Sequence, residues 1–110
     1  MSETLKRNAA FLKLLSKANP RTRKAMLEKH CTKDFINCVS ECCKNVLKGN
    51  VPLNRAQIAY LRRRKRMIRA VAQKKTSLRR KKGLIQKGGF LGFLLGPLVS
   101  LLGNLFGAGQ

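Results

Sequence analysis

Thr32-Lys33-Asp34-Phe35-Ile36-Asn37-Cys38-Val39-Ser40-Glu41-Cys42-Cys43-Lys44-Asn45-Val46-Leu47-Lys48-Gly49 reads as one helix with both ends marked. Thr32 is a capping residue, and Asp34 puts negative charge in the first turn, where the backbone dipoles favour it. Phe35, Val39, Cys42 and Val46 fall on one face at helical spacing, and Ile36, Cys43 and Leu47 widen that face. Lys44 and Lys48 suit the C-terminal end, and Gly49 supplies the residue on which the chain leaves the helix.

The flanking sequence is helical too. On the N-terminal side, Leu5, Ala9, Leu12, Leu15 and Ala18 recur at helical spacing, with Lys6, Arg7, Lys13 and Lys17 on other faces. Asn19 caps a second helix that runs to about His30, with Pro20 at its first position, where a missing N–H removes no bond. On the C-terminal side, Asn50-Val51-Pro52-Leu53 is a short loop. Asn54 then caps a long helix, with Gln57 three residues on as in a capping box and Leu53 and Ile58 spaced as a hydrophobic staple. Ile58, Leu61, Ile68, Val71 and Ala72 form its narrow apolar stripe. Ser77 caps a last short helix holding Arg79, Arg80, Lys81 and Lys82, weakened by Gly83. The expected fold is all-α: a small helical domain over residues 1–49, a basic helical extension over 50–87, and an apolar Gly/Leu/Phe-rich C-terminal segment over 88–110.

Charge follows the same three stretches. The chain of 110 residues has 25 Lys and Arg against 4 Asp and Glu, a formal net charge of +21. All four acids (Glu3, Glu28, Asp34, Glu41) precede residue 42. From Cys42 to Lys87 there are 16 basic residues and no acid, and from Gly88 to Gln110 no side chain is charged. Such an excess calls for nucleic acid, anionic lipid or a polyacidic partner. Acid/base chemistry needs paired titratable groups, and one His with four scattered acids is a thin supply; Glu28, Asp34 and Glu41 make no recognisable pair, and there is no phosphate-cradling loop. No enzyme activity and no cofactor are expected.

The acid-free run suits phosphate neutralisation, since duplex DNA carries about one charge per ~1.7 Å of axis and each neutralised phosphate releases counterion. The candidate contacts are Arg55, Arg62, Arg63, Arg64, Lys65, Arg66, Arg69, Lys74, Lys75, Arg79, Arg80, Lys81 and Lys82. No zinc-finger spacing or aromatic RNA-binding signature accompanies them, so binding is expected through the backbone and without sequence preference. A solvated face with a nuclear-import signal at Arg62 to Arg66 is the plainer reading.

Cys31, Cys38, Cys42 and Cys43 lie near His30. Cys38 and Cys42 share a helix face, which makes a zinc site conceivable, but the spacing matches no familiar finger or ribbon. Cys42 is on the apolar stripe, and free cysteine is a common small core residue. Packing is the expectation, with no metal ligand assigned. No secretory signal is visible, which places the thiols in a reducing compartment.

The tail sends two opposing signals. Phe90 to Phe106 spans about 25 Å as helix, at ~1.5 Å per residue, against the ~30 Å of a hydrocarbon core. Gly88, Gly92, Gly96 and Ser100 recur every four residues, as on a close-packing membrane helix. Pro97 opposes this by removing a mid-helix hydrogen bond. Phe90, Leu91, Phe93, Leu94, Leu95, Leu98, Val99, Leu101, Leu102, Leu105 and Phe106 are the candidate membrane or assembly contacts. Packing on its own domain is disfavoured, because so small a domain offers little surface to cover the tail.

A basic block, then Gly-Gly, then an apolar tail resembles the core protein X precursor of adenoviruses, which is processed to the small basic peptide mu, and the similar core proteins of polinton and adintovirus-type DNA viruses. The resemblance rests on Arg62-Arg63-Arg64-Lys65-Arg66, Arg79-Arg80-Lys81-Lys82 and Gln86-Lys87-Gly88-Gly89-Phe90-Leu91, and covers about half the chain. The N-terminal helices and their cysteines depart from the adenoviral pattern and look more like the polinton versions. The resemblance implies a virion protein, in virion and host nucleus, that condenses double-stranded DNA. It also implies a viral cysteine protease as partner, cutting after Gly-Gly. Gln86-Lys87-Gly88-Gly89 fits that protease's preference, with Gln where Met, Leu or Ile is commoner, so Gly88, Gly89 and Phe90 mark the implied cut. Leu105-Phe106-Gly107-Ala108 before Gly109 fits an alternative form. The tail is then left for membrane or capsid proteins. The competing expectation is a tail-anchored or membrane-active protein whose basic block holds anionic lipid; a cellular RNA- or ribosome-binding protein is a third, for which the tail has no use.

Overall fold

Four of the helices start from a local capping signal. The computed structural model describes residues 3–87 and 89–107, the last eight by backbone alone. Among these residues the chain is all-helical: α1 (Glu3–Arg7), α2 (Ala9–Lys17), α3 (Pro20–His30), α4 (Lys33–Leu47), α5 (Arg55–Ala72), α6 (Leu78–Lys87) and α7 (Leu91–Gly107). Asn19 Oδ1 accepts from Thr22 N at 2.8 Å, and Thr32 Oγ1 accepts from Phe35 N at 3.1 Å. Asn54 and Gln57 form the reciprocal capping box, each side chain accepting from the other's backbone N–H at 2.9 and 2.8 Å. Ser77 Oγ accepts from Arg80 N at 3.2 Å. Each bond satisfies an N–H that the helix start would otherwise leave unpaired.

The exit from α4 is equally local. Gly49 has φ +80°, Gly49 N donates to Val46 O at 3.2 Å, and Asn50 N donates to Asn45 O at 2.9 Å. This pair of bonds closes the last carbonyls of a helix, and it requires a left-handed residue that glycine adopts without strain.

The single N-terminal helix expected from the spacing of Leu5 through Ala18 is interrupted at Asn8. Asn8 Nδ2 donates to Thr4 O at 2.8 Å and to Asp34 Oδ2 at 3.0 Å, so its side chain competes with the backbone for the Thr4 carbonyl. Arg7 joins the same carboxylate, from Nη2 to Oδ1 at 2.8 Å and from Nε to Oδ2 at 3.3 Å. The kink thereby ties α1 to the first turn of α4.

α4 is the central element and packs against α1, α5, α6 and α7. Phe35, Ile36, Cys38, Val39, Cys42, Cys43 and Val46 are all buried on it. Three of the cysteines are therefore core residues, Cys38 and Cys43 fully enclosed and Cys42 nearly so, while Cys31, at the end of α3, is half-buried. Burial pushes the Cys43 thiol up to about 12. The adjoining Cys38 sulfur, with burial, pushes the Cys42 thiol up as well.

The core draws on residues from all three stretches of the chain. Leu12 and Leu15 of α2, Ile68 and Val71 of α5, Ile85 of α6, and Phe90, Leu91, Leu94, Leu95 and Leu98 belong to one cluster. The expectation that the tail finds no surface on its own chain is corrected over Phe90–Leu98, where α7 packs chiefly on α2. Local spacing gives the apolar face of α2 no partner, and α7 covers it. Of the small-residue stripe, Gly92 lies beside Arg23: a Cβ there would come 2.9 Å from Nη1. Arg23 in turn donates from Nε to Leu15 O and from Nη2 to Ala18 O, each at 3.1 Å, closing the C-terminal carbonyls of α2. α6 runs through Gly83 to Lys87, further than the glycine suggests, and Gln86 Nε2 donates to Leu27 O at 3.2 Å near the end of α3. The Cα radius of gyration is 13.0 Å, that of a compact domain, for which ~13 Å is typical at 100 residues.

Candidate nucleic-acid interface

α5 divides into a packed side and a charged one. Ile68, Val71 and Ala72 are buried and Leu61 is half-buried, while Arg55, Arg62, Arg63, Arg64, Lys65, Arg66 and Arg69 are exposed. Ile58, placed on the apolar stripe by its spacing, is 38% exposed and stands outside the core. With about 100° between successive residues, Lys65, Arg62 and Arg69 lie along one flank of α5. Arg63 and Arg66 lie toward the other. Each flank meets a neighbour that adds charge.

On one flank, Arg69 joins Lys74 and Lys75 of the following turn and Lys44 and Lys48 at the end of α4, around a cleft of about 570 Å³. On the other, Arg63, Arg64 and Arg66 face Arg80 of α6 across a groove of about 310 Å³ floored by Met67, Ala70 and Leu84. Arg79 and Lys82 are exposed on α6. By sequence Lys44 and Lys48 are charges that complement the end of α4; their juxtaposition with Arg69 follows from the packing of α4 on α5, which no local spacing reveals.

Lys81 differs from its neighbours. It is 5% exposed, and its Nζ donates to Ser40 Oγ at 3.0 Å. It is turned into the α4–α6 seam and lines neither of the two clefts just described. Burial, and then the charge of Lys44, holds its ammonium below the usual lysine range.

The ion pairs Lys6–Glu3, at 3.6 Å, and Arg7–Asp34, at 2.8 Å, both lie in the first 34 residues. Neither involves a cation of α5 or α6. Surface charges that remain hydrated and unneutralised are available to external phosphate.

Tyr60 joins the basic helix to the junction before α7. Its ring stacks on Phe93, and the guanidinium carbons of Arg63 and Arg64 lie 6.0 and 5.8 Å from its centroid. Its hydroxyl donates to Gly89 O at 3.4 Å. Gly89 is exposed, non-helical and left-handed at φ +71°, but Phe90 is fully buried. The junction is thus open on its glycine side and closed on its phenylalanine side, whereas a Gly-Gly pair, which resists helix formation, leads one to expect an accessible link; Gly88 lies outside the described residues.

Among the tail residues, Leu91, Leu94, Leu95 and Leu98 are core, and Phe93 and Val99 are half-buried. The side chains of Leu101, Leu102, Leu105 and Phe106, and with them the second Gly-rich cleavage match, lie outside the described residues. Among the described residues no helix is long and apolar enough to cross a membrane. No family model, curated protein or solved structure matches the chain.

Proposed function

We propose that this protein binds double-stranded DNA non-specifically through its phosphates and acts as a condensing core protein of a DNA virus particle. The observation that carries the reading is the set of exposed cations on α5, on the turn after it and on α6: Arg62, Arg63, Arg64, Lys65, Arg66, Arg69, Lys74, Lys75, Arg79, Arg80 and Lys82, in a stretch with no acid of its own. A helix presenting cations on both flanks can follow a phosphate track without reading base edges, because phosphate contacts fix position and carry no sequence information. The resemblance to the core protein X precursor supplies the virion setting and the protease.

Processing between Gly89 and Phe90 belongs to the same proposal. With Phe90 in the core, the cut waits on undocking of the first turn of α7, since a protease needs local chain on both sides of the bond to be free. Removal of the tail then follows a conformational change and not mere exposure.

Competition binding tests the reading against its lipid alternative. Full-length protein on a labelled duplex should be displaced about equally by unlabelled duplexes of unrelated sequence. Vesicles of anionic lipid at the same charge concentration should displace it less. Preference for one sequence, or stronger displacement by the vesicles, contradicts the proposal.

A further inference from the structure

The seam where α6 packs on α4 holds a buried ammonium with hydrogen-bonding capacity to spare. Lys81 Nζ has three N–H donors, and one of them bonds Ser40 Oγ at 3.0 Å. Buried charges are ordinarily balanced by an opposite charge, because leaving water is costly and unreturned otherwise. Lys81 takes part in neither the Lys6–Glu3 nor the Arg7–Asp34 pair, and the neighbouring charge it feels most is that of another cation, Lys44.

That seam opens onto a cavity of about 610 Å³ lined by Lys33, Lys44, Lys74 and Lys81, with the hydroxyls of Ser40 and Thr76. Glu41 lines it too and opposes an anion, leaving four lysines to one carboxylate. Ammonium and hydroxyl groups lining one space suit a tetrahedral oxyanion. It differs from the exposed arginines of α5, which neutralise charge while fully hydrated. A desolvated cation interacts more strongly with each oxygen that reaches it.

We propose that this cavity is a binding site for a phosphoryl group, with Lys81 and Ser40 as its inner ligands and Lys33, Lys44 and Lys74 at its rim. The bound anion supplies a countercharge to Lys81. The phosphoryl group is either a phosphodiester of bound DNA or free phosphate, and the site stands whether or not α5 binds DNA.

Lysine side-chain NMR of the full-length protein tests this, following each Nζ during titration with inorganic phosphate at constant ionic strength and then with a short blunt duplex. Lys81 should shift along a saturating curve, while Lys13 and Lys17 on the exposed side of α2 drift linearly. Saturation by phosphate alone assigns free anion; saturation by the duplex as well assigns the DNA backbone. Lys81→Met replaces the buried charge by an apolar chain of similar reach and should abolish saturation at Lys44 and Lys74. Ser40→Ala, which keeps Lys81, should weaken the saturating phase several-fold. A linear Lys81 response indistinguishable from that of Lys13 overturns the site, and that wild-type comparison stands whether or not either variant folds.

Discussion

The Tyr60 ring stacks on Phe93 with centroids 4.7 Å apart and planes at 22°. Through this stack the basic helix α5 is joined to the start of the apolar helix α7, two segments whose compositions suggest different solvents. Offset aromatic stacking contributes about 0.5–1.5 kcal/mol beyond area burial. Phe93→Ala should therefore destabilise the protein by about 2 kcal/mol in chemical denaturation and speed proteolysis at the Gly89–Phe90 junction. Tyr60→Phe keeps the stack and removes only the long hydroxyl bond to Gly89, so it should change stability by well under ~1 kcal/mol.

Truncation after Gly89 is the harsher test of the same docking. It removes Phe90, Leu91, Leu94, Leu95 and Leu98, each at most 2% exposed. Burying such a side chain is worth about 1.5–3 kcal/mol, so five rival the ~5–15 kcal/mol stability of an entire small domain. Free of DNA, the truncated chain should be much less helical than the full one by circular dichroism at 25 °C. A truncated chain as helical and as stable as the full one would mean that the packing of α7 on α2 contributes little.

How legible all this is in the sequence depends on the range of each interaction. Helix starts at Asn19, Thr32, Asn54 and Ser77 are three-residue chemistry, and the exit at Gly49 is hardly longer, so they read directly from the chain. The docking of α7 is not legible, because Gly, Leu and Phe at helical spacing suit a lipid and a complementary helix equally well. The partner face on α2 is about 80 positions away. Lys81 reads as one more cation in Arg79-Arg80-Lys81-Lys82, and only Ser40, 41 residues earlier, turns it inward. The exposed arginines are legible for the opposite reason: charge needs no partner in the chain to stay on the surface.

The Asp34 carboxylate is held below its ordinary range, first by the hydrogen bond from Arg7, then by that from Asn8. A depressed carboxylate contributes stability that is fully present above its unfolded pKa, near ~3.9, and is lost as pH falls through its folded value. Wild-type protein should accordingly lose stability below pH ~4 more steeply than Asp34→Asn. Thermal melts of the two from strong acid to neutrality check this: the gap should be widest near neutrality and close with acid.

Thiol labelling follows from the burial pattern. Cys31 is half-buried, whereas Cys38, Cys42 and Cys43 are at most 1% exposed. A thiol pushed up to about 12, as at Cys43, is almost wholly protonated in the mildly alkaline buffers used for labelling. Native protein should label at Cys31 first, with the other three following only at the rate of unfolding. Cys42→Ser should lower stability by about 1–3 kcal/mol, as a hydroxyl poorly paired in an apolar site does.

Phosphate-driven binding predicts a steep, quantifiable salt dependence. Log K for full-length protein on a duplex should fall linearly with log salt. Replacing Arg62, Arg63 and Arg64 by Gln should flatten that slope by roughly 2–3, at about 0.9 for each phosphate no longer neutralised. Fluorescence anisotropy from about 50 to about 300 mM salt, wild type beside the triple variant, is the measurement. A parallel pair of lines, or a wild-type slope near zero, would contradict phosphate binding by α5.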